Sequence, residues 1–220
     1  MKKELQKRII FVVLNIFTLV ILLNLVLNFC IFSVREYSDS MSPDIPKNAL
    51  VFVTPISTEI KRGDVLYIEK HEYTSNVPEK ILDTLIKFFT LQKLNLHSKS
   101  DNLSSSMSLR RVVGVPGDTL YMKDFMIYIR PKNDKHFLTE FERAEKVYNI
   151  EIENLPKNWD VDIGEKSAFT PITLSAGQYF VLADNRFSAM DSRLWGIVEK
   201  EDVIGKVILQ YYPFNSFKLF

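Results

Sequence analysis

RRVVGVPGDTLYM, residues Arg110 to Met122, sets the pattern from which the fold is read. A valine-rich run leaves two arginines, stops at the turn signal Pro116-Gly117-Asp118, and resumes at Thr119 with β-favouring side chains. The same alternation of short apolar runs and turn residues recurs on either side. Leu50-Val51-Phe52-Val53 follows Ile45-Pro46-Lys47-Asn48, and Val65-Leu66-Tyr67-Ile68 follows Arg62-Gly63-Asp64. Phe125 to Ile129, Gln178 to Leu182 and Val203 to Tyr212 complete the series. Short Val-, Ile-, Tyr- and Phe-rich runs between Gly/Pro/Asp clusters predict a mostly-β, antiparallel domain.

Ahead of this domain stands IIFVVLNIFTLVILLNLVLNFCIFSV, Ile9 to Val34, which carries no charge. Its length exceeds the roughly 20 residues that a helix needs to span a bilayer. It is too long for the about 7–15 apolar residues of a cleaved signal peptide, and Ser33-Val34-Arg35-Glu36-Tyr37 offers no A-x-A site. The expectation is a single uncleaved transmembrane helix. Lys2, Lys3, Lys7 and Arg8 precede it against Glu4 alone, which predicts a cytoplasmic N-terminus and an extracytoplasmic C-terminal domain. Asn15, Asn24 and Asn28 are either tolerated polar residues or contacts for a partner helix.

The 28 basic and 27 acidic side chains leave a net charge of +1, so charge gives no argument for a nucleic-acid partner. No zinc-type Cys/His spacing or glycine-rich phosphate loop is present, so no metal or cofactor is expected. The one cysteine, Cys30, cannot form an intrachain disulfide. From Pro78 to Leu96 the spacing of Ile81, Leu82, Leu85, Phe88 and Phe89 predicts a helix, followed by a Ser-rich loop from Ser98 to Ser108. Its apolar face either covers the protein's own core or, with Lys80, Lys87 and Lys93, rests on a membrane or a partner. Pro131 to Ser167 is polar and reads as a smaller inserted subdomain without recognisable chemistry.

Ser38-Asp39-Ser40-Met41-Ser42-Pro43 lies just beyond the anchor. Together with Arg62-Gly63-Asp64-Val65, with Arg111 through Asp118, with Ala183-Asp184-Asn185-Arg186 and with Asp191-Ser192-Arg193, it resembles the ordered motifs of the type I signal peptidases. That resemblance implies a membrane-bound serine endopeptidase acting on exported preproteins through a Ser–Lys dyad. Ser40 would be the nucleophile, and the Ser40 N–H and Ser38 hydroxyl the oxyanion donors. Met41 would line the pocket for small substrate residues, and Arg111, Asp184, Asp191 and Arg193 would form a supporting polar network. The implied division is a cytoplasmic tail over 1–8, an anchor over 9–34, and a catalytic core in three parts, 35–72, 108–130 and 171–220. The helix and loop over 73–107 and the subdomain over 131–170 interrupt that core.

Three positions depart from the family's pattern. Arg110 stands where the general-base lysine should be, Ala189 where a serine should bond that lysine (with Ser188 beside it), and Ala183 where a glycine is usual. A guanidinium has no acceptor and keeps its proton below about pH 12, so Arg110 cannot be a general base. His71, His97 and His136 are the only histidines that could substitute, and none sits in the motif. Three readings follow: a working or slow peptidase, a homologue that binds exported proteins such as pilin subunits and assists pilus assembly without cutting, or a scaffold.

Overall fold

The computed structural model describes residues 2–55, 59–69, 107–152, 168–187 and 190–220. The expected helix over 78–96, most of the Ser-rich loop, His71, His97, Ser188 and Ala189 lie outside the described residues.

Helix α1 runs from Lys2 to Phe29. Within it Glu4–Leu22 is membrane-length, 19 residues of mean hydropathy 2.0 with none of that window buried. Nineteen residues of helix rise about 28 Å, close to the thickness of a bilayer's hydrocarbon layer. Asn15 donates its side-chain amide to the Phe11 carbonyl at 2.7 Å, and Thr18 bonds Leu14 in the same way at 2.9 Å. Both polar groups are therefore satisfied inside their own helix, which lowers their cost in lipid. The expected anchor of 9–34 divides in two, because the helix stops at Phe29 and Phe32–Arg35 is already strand β1.

The β unit contains two antiparallel sheets. The larger holds β1, β2 (Leu50–Thr54), β11 (Val203–Tyr212), β3 (Val65–Glu69), β4 (Met107–Gly114), β9 (Gln178–Leu182) and β10 (Val198–Glu199) in that order, with β12 (Lys218–Leu219) also on β11. The smaller runs β7 (Leu138–Thr139), β6 (Met126–Arg130), β5 (Thr119–Lys123) and β8 (Phe169–Thr173). Every predicted run lies in or overlaps one of these strands. Val113, Leu120, Met122, Ile127, Ile129, Leu174, Phe180 and Leu182 form one core cluster, drawn from strands of both sheets and, with Leu174, from the residue just after β8. Leu66, Ile68, Val112, Tyr179, Val181 and Val198 form another, made of larger-sheet residues.

Two of the sequence motifs prove to be one structural unit. Gly117 takes the left-handed conformation (φ +91°) that the Pro116-Gly117-Asp118 turn requires. Asp118 accepts the Val115 N–H at 3.0 Å and is gripped by both arms of Arg62, at 2.8 and 2.5 Å. Asp64, also buried, pairs with Lys146 at 2.8 Å and Lys206 at 3.3 Å.

Gly205 lies at a register shift in β11, and a methyl group there would meet the Thr54 carbonyl oxygen at 2.6 Å and Val53 Cγ1 at 2.7 Å. Backbone cannot swing aside as a side chain can. Gly205→Ala should therefore destabilise the β unit by about 1–3 kcal/mol, read as a lower denaturation midpoint.

Candidate active site

β4 is flanked by β3 and β9 and buried from Leu109 to Gly114. Side chains along a strand alternate between faces, so its consecutive arginines serve opposite sides of the sheet. Arg110 turns toward the Ser40 loop and Arg111 toward Asp184.

On the first side, Arg110 Nη1 donates to Ser40 Oγ at 3.0 Å, and Nε donates to the Met190 carbonyl at 2.7 Å. Its guanidinium also lies 5.4 Å from the Trp195 ring centroid. Burial pulls the Arg110 pKa down while the negative charges of Asp191 and Glu36 pull it up. A guanidinium titrates so high that it stays protonated through this contest. Ser40 is itself 1% exposed, in a loop closed by the Ile45 N–H on the Met41 carbonyl at 2.8 Å. The Asn185 N–H holds the Ser40 carbonyl at 2.9 Å, which ties the serine loop to the fourth motif.

Ser38 lies 2.8 Å from Ser40, oxygen to oxygen, and its hydroxyl reaches Glu36 Oε1 at 2.5 Å. The Ser38 N–H bonds the same carboxylate oxygen at 2.9 Å. The two groups expected to face an oxyanion are thus engaged internally: the Ser40 N–H leans on Ser38 Oγ at 3.3 Å, and Ser38 leans on Glu36. Met41, expected to line the pocket for small substrate residues, is buried next to the equally buried Ser40.

On the second side, Arg111 forks onto Asp184 through Nε at 2.6 Å and Nη2 at 2.5 Å. Nη1 donates to the Gly63 carbonyl at 2.8 Å, Nη2 reaches Asp44 at 3.0 Å, and the Tyr148 ring lies 4.3 Å away. Burial pushes the Asp184 carboxyl above its ordinary range, against the pull of Arg111.

Asp191 caps helix α3 (Ser192–Trp195), takes both arms of Arg193 at 2.9 and 2.7 Å, and accepts the Ala183 N–H at 3.1 Å. Arg193 also donates to the Arg186 carbonyl at 2.6 Å. The four supporting residues expected from the sequence therefore form two clusters linked through the chain between Ala183 and Arg186.

Sequence reading missed Glu36, Asp44 and the pair Arg186–Glu140. Arg186 Nη1 and Nη2 bond Glu140 at 3.0 and 2.5 Å, with Tyr148 Oη on the same carboxylate at 2.7 Å. Glu140 opens the short helix α2 (Glu140–Arg143) in a segment without recognisable motifs, and no local signal links it to Arg186. His136 is exposed beside Asp134, and no histidine bonds Ser40 among the described residues. Nor do the described residues group His, Cys, Asp or Glu in a way that could hold a metal. A cleft of about 620 Å³ between Pro116, Arg130 and Thr173 shares no residue with the Ser40 site.

A family model described as signal peptidase, peptidase S26, matches residues 9–212. Signal peptidase I U of Bacillus subtilis (strain 168) is 29% identical over 120 residues, 54% of this chain and 57% of that relative. Signal peptidase IB of Staphylococcus aureus is 31% identical over 115 residues, 50% of this chain and 56% of that relative. The match spans only a little over half the length of these curated relatives. A crystal structure of a signal peptidase I from Enterococcus faecalis V583 covers 68% of this chain and 97% of its own, at 21% identity and a TM-score of 0.35. With the family match extending from the apolar helix to the end of β11, the chain belongs to the peptidase S26 family of signal peptidases.

Proposed function

We propose that this chain is a membrane-anchored serine endopeptidase that cuts exported precursors slowly, with Ser40 as its nucleophile. The observation that carries this reading is the Arg110–Ser40 contact of 3.0 Å. A charge-assisted donor on Ser40 Oγ stabilises the alkoxide form and so eases loss of the Ser40 proton, most of all in a site shielded from water. The same arginine removes the family's base, which is why turnover is slow. The basic residues before the apolar helix support a cytoplasmic N-terminus, and the core pieces 35–72, 108–130 and 171–220 supply the site.

One observation favours a second reading, in which exported proteins, pilin subunits among them, are held without being cut. The expected oxyanion donors Ser38 and Ser40 N–H are occupied by each other and by Glu36. The deciding experiment uses the full chain in detergent micelles with a peptide bearing an Ala-x-Ala cleavage motif. Slow product formation that disappears in Ser40→Ala supports the peptidase. Binding of the peptide without Ser40-dependent product supports the second reading.

A further inference from the structure

We infer that Glu36 is the proton acceptor for Ser40, acting through the hydroxyl of Ser38; this rests on the endopeptidase reading above. Proton counting gives the direction of each bond. A hydroxyl has one proton to donate, a guanidinium only donates, and an ionised carboxylate only accepts. Arg110 Nη1 at 3.0 Å must therefore donate to Ser40 Oγ, so the Ser40 proton points elsewhere. Glu36 Oε1, at the short end of hydrogen-bond range from Ser38 Oγ, must receive the Ser38 proton. Ser38 Oγ is placed to donate either to Ser40 Oγ at 2.8 Å or to Glu36 Oε1 at 2.5 Å, and with its single proton on the carboxylate it turns a lone pair to the Ser40 proton. The contacts line up Arg110, Ser40, Ser38 and Glu36 in that order, and the relay requires the Ser38 proton to lie on the Glu36 side.

The end of this chain is held in place. Glu36 is 6% exposed, and its backbone is clamped by its own N–H on the Ala49 carbonyl at 2.9 Å and by the Asn48 N–H on its carbonyl at 2.7 Å. The Ser38 N–H at 2.9 Å fixes the carboxylate from a second direction. The positive charge of Arg110 and the negative charge of Glu36 interact across the two serines. Polarised hydrogen-bond chains of this kind strengthen one another in a poorly hydrated site.

In the reaction, Ser40 Oγ bonds to the scissile carbonyl carbon as its proton moves to Ser38 Oγ and the Ser38 proton moves to Glu36. The carbonyl π pair goes to its oxygen, Glu36 becomes a neutral acid, and Ser38 ends with the charge it began with. When the tetrahedral adduct collapses, the C–N bond breaks, the leaving amine takes a proton from Ser38, and Glu36 returns its own to Ser38. Water then attacks the resulting ester, its proton follows the same route, and collapse restores the Ser40 hydroxyl and releases the acid product. A carboxylate is a weaker base than a neutral amine, so this relay supports turnover below that of a lysine dyad.

The test measures kcat and KM of the full chain in micelles on the Ala-x-Ala peptide for Glu36→Gln, Ser38→Ala and Ser38→Thr, each alone and with Arg110→Lys. The expected result is a fall in kcat of at least about tenfold for Glu36→Gln and Ser38→Ala, with KM nearly constant and the variant carrying both Glu36→Gln and Ser38→Ala no worse than either single one. Ser38→Thr keeps the hydroxyl and should retain most of the rate. In the Arg110→Lys background, where an amine accepts the proton directly, the loss from Glu36→Gln should shrink to less than about threefold. An equal loss in both backgrounds marks a merely structural role and overturns the relay, as does an unchanged kcat. Should Glu36→Gln fail to fold, Ser38→Ala and Ser38→Thr read the same route. Ser40-dependent cleavage that ignores Glu36 and Ser38 removes the relay alone, whereas absence of Ser40-dependent cleavage removes both the relay and the endopeptidase reading.

Discussion

Arg110→Lys is expected to raise the cleavage rate of the Ala-x-Ala peptide by about ten- to a hundredfold, at or below the lower end of the range for restoring general-base help. Lysine at this position starts from the same β4 backbone and lies against the same hydroxyl that Arg110 now reaches. Burial lowers a lysine's pKa and so leaves a fraction of neutral amine to accept a proton, whereas the nearby negative charges of Asp191 and Glu36 oppose that shift. The sign of the pH dependence follows. The variant should gain rate as pH rises and the amine deprotonates, a limb that the parent chain lacks. Adding Ala189→Ser should raise the rate again if the amine needs a hydroxyl partner. Steady-state rates from pH 6 to 10 check both points, and a variant no faster than the parent at any pH would remove Arg110 as the cause of slow turnover.

Arg111→Leu should have the largest effect on stability, about 3–5 kcal/mol, because it leaves Asp184 buried without the guanidinium that grips it from two directions. Asp44 loses a partner in the same change but keeps Lys218 at 2.8 Å. With Arg111 gone, burial is left to push the Asp184 carboxyl up with little opposition. The folded variant then holds a proton that the unfolded chain releases, so its stability falls as pH rises from the ordinary carboxylate range to the raised Asp184 value. The deficit measured by chemical denaturation should be larger at pH 8 than at pH 5, and Asp184→Asn in the same chain should recover part of it. A deficit independent of pH would show that lost packing against Tyr148, not the stranded charge, dominates.

The strands legible in the sequence are those whose β-branched and aromatic runs end at Gly, Pro or Asp, such as Val65–Glu69 and Gln178–Leu182. β1 was hidden because Phe32 to Arg35 continues an apolar run already long enough for a membrane helix. β8 contains Pro171, tolerable because this strand lies at the edge of its sheet and pairs only with β5. In the site, Ser40, Arg110 and the Arg111–Asp184 pair were legible because they sit in recognisable motifs. Glu36 was not. Its contact with Ser38 depends on how the chain bends after β1, and nothing in the residue types alone announces that bend. The Glu140–Arg186 pair is likewise a product of folding, joining a polar excursion to the fourth motif across distant parts of the chain.

β11 also bears on the order in which this protein can be assembled. It stands between β2 and β3 in the larger sheet, with Lys206 opposite both Thr54 and Leu66, yet it is synthesised after both of them and after every strand from β4 to β10. A ribosome working from the N-terminus therefore presents the Ser40 loop and its two neighbouring strands long before the strand that joins them exists. Until Val203 to Tyr212 emerges, β2 and β3 lack a shared neighbour and the sheet cannot close. Such long-range pairing is slow, since a large loop must close before any contact rewards it. The larger sheet of a nascent chain would therefore stay open until β11 has been made.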